Sequence, residues 1–187
     1  MKRACYVLLL LTACATTTWV EAGASYAPRS QRYAVELPQG WMRYDPAADL
    51  LATRDGVRLQ RLYMDVLEFG KPLRDTKKTI SKDMLPEEAA EVARDQLASA
   101  GAMSGLAVVE NAPSTVAGRP GFKLSYRFKT RDGLKYKGRV YGVMGEDRLY
   151  LLGYEAPERY YFERDAQTFE SVRESFTLSL VPGAQAR

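Results

Sequence analysis

The chain has 187 residues, no histidine, and only two cysteines, Cys5 and Cys14. That length suits one domain with a sizeable core. The missing histidine excludes Ser-His-Asp and Cys-His machinery, histidine metal ligands and a histidine proton shuttle. With both cysteines in the first fourteen residues, the folded part has no disulfide framework and no cysteine metal site. Of 27 basic residues, Lys2 and Arg3 lie in a leader-like start, which leaves 25 against 23 acidic residues; a charge of +2 is too mild to argue for nucleic acid.

Lys2 and Arg3 form a basic start, Ala4 to Leu11 is apolar, and Leu11-Thr12-Ala13-Cys14 follows. A positive start, a short apolar run and small residues before a cut define a secretory signal. The run is too short to cross a bilayer, which needs about 20 residues. Leu-Thr-Ala-Cys resembles the lipobox of bacterial lipoproteins, and that resemblance implies that Cys14 becomes the first mature residue and carries acyl chains, palmitate among them. Ala15, rather than Asp, after the cysteine favours the outer membrane by the same analogy. The other reading is an ordinary cleaved signal ending near Ala22-Gly23-Ala24. The expected division is a signal peptide over residues 1–13, a lipidated tether over 14–32, one domain over 33–180 and a tail over 181–187. As a flexible coil the tether would reach about 25 Å, with Trp19 able to dip among headgroups.

Tyr33 to Leu37 alternates and is expected to open the sheet, with Pro38 and Gly40 ending the strand and Trp41 plugging the core edge. Leu50 to Thr53 reads as a short strand, Asp55-Gly56 as a turn, and Val57 to Phe69 as one long strand. Its apolar residues fall on both parities, so it should be covered on both faces. Gly70 to Leu85 is a polar connection. Pro86, Glu87 and Glu88 then open a helix whose apolar positions are Leu85, Ala89, Val92, Ala93, Leu97 and Ala100, and Gly101 stops it. Leu106 to Glu110 and Thr115 to Ala117 read as two short strands. Gly121 to Pro157 reads as a three-stranded meander. Phe122, Leu124, Tyr126 and Phe128 alternate with Lys123, Ser125, Arg127 and Lys129, and Asp132-Gly133 and Gly145-Glu146-Asp147 supply the turns. A last helix runs from about Tyr160 to Glu174 on a stripe of Phe162, Ala166, Phe169 and Val172.

Leu37-Pro-Gln-Gly-Trp41, Val116-Ala-Gly-Arg-Pro-Gly121, Phe169-Glu-Ser-Val172 and Glu174-Ser-Phe176 occur in an order that resembles the Mog1/PsbP-like superfamily over roughly Tyr33 to Leu180. The resemblance implies an α+β fold in which an antiparallel sheet is flanked by helices, an α/β/α sandwich. It also implies a binding or assembly role. The metal-binding histidines of that family have no counterpart here.

The residues themselves offer one candidate surface. Lys123, Arg127, Lys129, Lys135, Lys137 and Arg139 fall on neighbouring strands and would present a basic row to an anionic partner. The alternative is a solvated face partly covered by Glu163, Asp165 and Glu170. Arg74, Lys77, Lys78 and Lys82 could prolong the row or be a hydrated loop. Tyr136, Tyr141, Tyr150, Tyr154, Tyr160 and Tyr161 either line a groove for a peptide or apolar ligand, or form core with wet hydroxyls. Asp65 and Glu68 have no second carboxylate pair placed opposite them, so no glycosidase arrangement emerges. No catalytic residue, metal site or cofactor is assigned. The expected protein is a lipid-anchored, non-catalytic binding or assembly module of a bacterial envelope, facing the periplasm. Its partners would be the membrane, through Cys14, and an envelope protein or anionic component, not nucleic acid. The alternatives are a carrier of a small apolar or lipid ligand and, less favoured, an enzyme of unknown class.

Overall fold

The computed structural model describes residues 18–28, 32–47, 49–99, 101 and 103–179. The signal peptide, Cys14 and the 181–187 tail lie outside them. An eight-stranded sheet dominates, and every neighbouring pair in it is antiparallel. In chain order its strands are β1 (Trp19–Glu21), β4 (Met42–Tyr44), β5 (Leu51–Thr53), β6 (Arg61–Glu68), β7 (Ser104–Val116), β8 (Arg119–Lys129), β9 (Lys135–Met144) and β10 (Arg148–Pro157). Their spatial order is β1-β4-β5-β6-β10-β9-β8-β7. A small second sheet joins β2 (Ser25–Tyr26), β3 (Tyr33–Glu36) and β11 (Thr177–Leu178). Helix α1 (Pro86–Ser99) packs on one face of the large sheet and α2 (Tyr161–Ser175) on the other. The fold is thus the α+β sandwich expected.

Period-two alternation sorts the meander. Phe122, Leu124, Tyr126 and Phe128 enter the core under α1 with Tyr136, Val140, Leu149 and Leu151. Tyr141, Val143, Tyr150, Leu152 and Tyr154 enter the core under α2 with Phe162, Phe169 and Val172. The α1 face is made flat enough by glycine. A Cβ on Gly142 would lie 2.1 Å from Phe122 Cζ, and one on Gly138 would lie 2.2 Å from Tyr126 Cζ, because each ring lies over the glycine opposite it.

Several expectations are corrected. Residues 19–26 are not a tether: β1 is the edge strand of the large sheet, β2 pairs with β3, and Trp19 packs on Tyr44 with ring centroids 5.1 Å apart. The Tyr33 strand does not open the large sheet; it is the middle strand of the small one, between β2 and β11. The long strand starts at Arg61, and residues 57–59 form a turn closed by Leu59 N–H donating to Gly56 O at 2.8 Å. Residues 104–116 form one strand with two register shifts, which hide its alternation. Pro113 is tolerated there because β7 is an edge strand. Leu85 lies outside the helix stripe and stays exposed. It precedes the helix instead, where the Glu88 carboxylate reaches back and accepts its N–H at 2.8 Å.

Candidate functional site

The basic row divides along its length. Lys137 meets Glu163 at 2.6 Å and Arg139 pairs with Glu170, because these acids lie two helical turns apart on α2, which crosses this face. Both cations also lie over the Phe162 ring, at 5.6 and 5.8 Å. Tyr141 donates to Glu170 Oε2 at 2.9 Å. Burial, with that acceptor, pushes its phenol up to about 12. Lys123 pairs with Glu110 at 2.9 Å and Arg127 with Glu158 at 3.5 Å. Lys129 and Lys135 make no ion pair among the described residues, although they face each other directly across β8 and β9. Asp165 turns away from the row. It is buried against Gln60, Arg54 and Arg164, and so ties the 54–60 loop to α2. In the basic 70–85 connection Lys78 pairs with Asp95, and Lys77 Nζ donates to Arg74 O at 2.7 Å.

Four of the six tyrosines, Tyr136, Tyr141, Tyr150 and Tyr154, are buried core, whereas Tyr161 is half-buried and Tyr160 exposed. The open space lies on the opposite face. Helix α1 covers β7, β8 and β9, and beside it a recess of about 450 Å³ opens over β5 and β6. Leu51, Tyr63, Leu97 and Met103 give it apolar walls, and Asp49, Asp65, Arg61 and Arg74 bring charge. Asp65 lines the recess and is exposed there. Its carboxyl is pushed up to about 6, chiefly by burial, against the attraction of Arg61. The pairing of Leu51 with Tyr63, carried two residues on, sets Asp49 opposite Asp65. This is a carboxylate neighbour that sequence reasoning did not place.

A buried polar cluster bounds the recess. Glu155, only 2% exposed, accepts from Tyr126 Oη at 2.5 Å and from Arg61 Nε at 2.8 Å, and Tyr63 Oη lies 3.2 Å from Tyr126 Oη. The Arg61 guanidinium also stacks 5.2 Å over the Tyr63 ring. Burial pushes both phenols well above the usual tyrosine range, so they remain neutral donors. Sequence reasoning missed this cluster, which joins three distant strands. Its one signal is a lone acid inside the apolar run Leu-Leu-Gly-Tyr-Glu155-Ala-Pro.

One end of the sheet differs from the rest. There the β8–β9 turn meets the 54–60 loop and the 157–160 loop. Arg58 pairs with Asp132 at 3.2 Å, Tyr136 Oη donates to Arg58 O, Glu158 N–H donates to Lys135 O at 3.0 Å, and Arg131 reaches Gly101 O at 3.3 Å. Hollows of about 330 and 430 Å³ lie on either side of Leu134. Leu134 is 47% exposed, Val57 40% and Tyr160 60%. No three potential metal ligands gather among the described residues, and none of their helices is long and apolar enough to cross a membrane.

An antiparallel sheet with one helix on each face, and a small sheet packed beside α2 on one of them, is the architecture of the Mog1/PsbP-like α+β sandwiches. The PsbP family model matches residues 22–178, and the chain belongs to that family. Among solved structures it is similar to cyanobacterial PsbP (CyanoP) from Synechocystis sp. PCC 6803, with a TM-score of 0.58 at 16% identity over 90% of this chain and 98% of that one. It is also similar to the Ran-binding protein Mog1p from Saccharomyces cerevisiae, with a TM-score of 0.56 at 11% identity over 85% of this chain and 96% of that one. At such identities the likeness is one of fold. No curated protein matches the sequence.

Proposed function

We propose that this chain is a non-catalytic binding or assembly module of a bacterial envelope, lipid-anchored at Cys14 and facing the periplasm from the outer membrane. The observation that carries the reading is the contrast along the basic row: its charges are neutralised under α2 and left free at one end of the sheet, where apolar side chains are also exposed. Membership of the PsbP family and the Leu-Thr-Ala-Cys start support it. So does the fact that Mog1p, which shares the fold, is a Ran-binding protein. Fractionation of cells fed an alkyne-bearing palmitate tests the anchor. The wild-type chain is expected in the outer-membrane fraction with the label, and Cys14→Ser in the soluble periplasm without it. Unlabelled wild-type chain in the periplasm would overturn the anchor.

The recess beside α1 favours a second reading, a carrier of a small ligand. Its volume of about 450 Å³ falls in the range of small-molecule sites. Native mass spectrometry of chain extracted without denaturant is expected to show a retained small molecule if this reading holds. The bare protein mass alone would count against it.

A further inference from the structure

We infer that the end of the sheet around Leu134 docks an acidic, partly apolar segment of a partner protein, with Lys129 and Lys135 meeting its carboxylates. This inference rests on the binding-module reading and names the surface and the kind of partner.

Four observations converge. Lys129 and Lys135 stand directly opposite each other, where like charges cost stability, and no acid of this chain among the described residues answers either one. Arg131 and Arg159 add charge nearby, while the local acids Asp132 and Glu158 are already taken by Arg58 and Arg127. The surface is therefore basic. Secondly, five large apolar side chains are exposed among the described residues, and Val57, Leu134 and Tyr160 gather at this end. Thirdly, the turn is held on three sides by the Arg58–Asp132 pair, the Glu158 N–H to Lys135 O bond and the Arg131 contact, so it is ordered before binding. Fourthly, the hollow of about 430 Å³ that Leu134 and Lys135 share with the 157–159 loop is concave, which suits an inserted side chain better than a flat bilayer.

Its position points the same way. Pairing traced from Trp19 through Tyr44, Leu51, Tyr63 and Gly153 arrives at Val140. Strand β9 lies five strand spacings from β1, about 24 Å, and Lys135 lies about 17 Å further along the strand from Val140. The turn thus lies at the opposite end of the strands from Trp19 and five strands across, about 30 Å away. Cys14 precedes Trp19 by five residues, a span of about 18 Å at most. Strand β1 runs toward the end of the sheet that holds the turn, so Trp19, its first residue, is the part of β1 farthest from Leu134.

The test combines a defined probe with capture in cells, using the full chain throughout. A fluorescein-labelled Glu/Leu peptide is expected to bind the wild type in low salt, and Lys135→Glu to weaken it about tenfold. Because that substitution turns a like-charge pair into an opposite one, its thermal midpoint is expected to hold or rise, so lost binding cannot be put down to misfolding. Lys82→Glu makes the same change of net charge elsewhere and is expected to leave binding within about twofold. Equal losses in the two variants would overturn the docking site, as would Lys135-dependent binding to phosphatidylglycerol vesicles in place of the peptide. In cells, a photo-crosslinking residue at Leu134 is expected to join an acid-rich protein segment, and Lys135→Glu to abolish the adduct. If Leu134 captures nothing while the same probe at Arg74, in the recess, captures a protein, the docking site is wrong and the binding module stands. If neither position captures a protein, both readings fall.

Discussion

Lys135 and Lys137 lie two residues apart on β9 and project from the same face of the sheet, yet among the described residues only Lys137 meets a carboxylate. The difference is one of reach. Helix α2 begins at Tyr161, and its acids Glu163 and Glu170 fall above Lys137 and Arg139, while the strand runs on beyond the helix. A covered cation row holds a helix to a sheet. An uncovered one carries repulsion that the fold does not repay, and such charge is what an outside partner can use.

The largest effect is expected on the covered side. Phe169 is 1% exposed and packs against Tyr154, with ring centroids 5.4 Å apart, and against Tyr141 at 5.9 Å. Phe169→Ala is expected to cost about 4 kcal/mol, read by urea denaturation. A loss below about 1 kcal/mol would mean that α2 is held mainly by its ion pairs rather than by its apolar stripe.

At the other end the floor is polar. Glu155→Ala would strip the acceptor from Arg61 and Tyr126 in a buried site. The Arg61 side chain is 42% exposed and can rehydrate, so the expected cost is about 2–3 kcal/mol, below that of a fully enclosed pair. Glu155→Gln keeps an acceptor and is expected to lose less. Equal losses would mean that the ion pair, rather than the hydrogen bond from Tyr126, holds the floor.

These two regions were unequally legible in the sequence. The meander, its turns and the stripe of α2 follow from simple periods, because each strand buries one parity and each helix one face. The short strands β1 and β2 left no period, having three and two residues. The register shifts of β7 broke its alternation. The basic row could be read residue by residue. Which of its members α2 would answer depended on where the helix crosses the sheet, and that is set by packing. The Glu155 cluster links residues 94 and 29 positions apart, a juxtaposition that no local pattern carries.

Asp65 gives a smaller, pH-dependent effect on the open side. Its carboxyl is raised to about 6 in the folded chain from an ordinary 3.8, so the folded state holds the proton more tightly. That contribution to stability is complete below about pH 4 and is lost as pH rises through 6. Asp65→Asn removes the charge and is expected to stabilise the chain at pH 7 by about 1 kcal/mol, the full shift being reduced by water in the recess. The difference from wild type should vanish near pH 4 in parallel thermal melts. A pH-independent gain would mean that packing rather than charge is responsible.

The finest test returns to the two lysines. Lys137→Ala removes a partly shielded pair with Glu163 and the contact over Phe162, and is expected to cost about 0.5–1 kcal/mol. Lys135→Ala removes only repulsion with Lys129 and is expected to be neutral, or to stabilise by a few tenths of a kcal/mol. High salt should narrow the gap between the variants, since screening weakens attraction and repulsion alike. If Lys135→Ala proved the costlier of the two, an acid of this chain would be answering Lys135 in solution. The free end of the row would then belong to the fold, and the case for a partner there would lose its electrostatic ground.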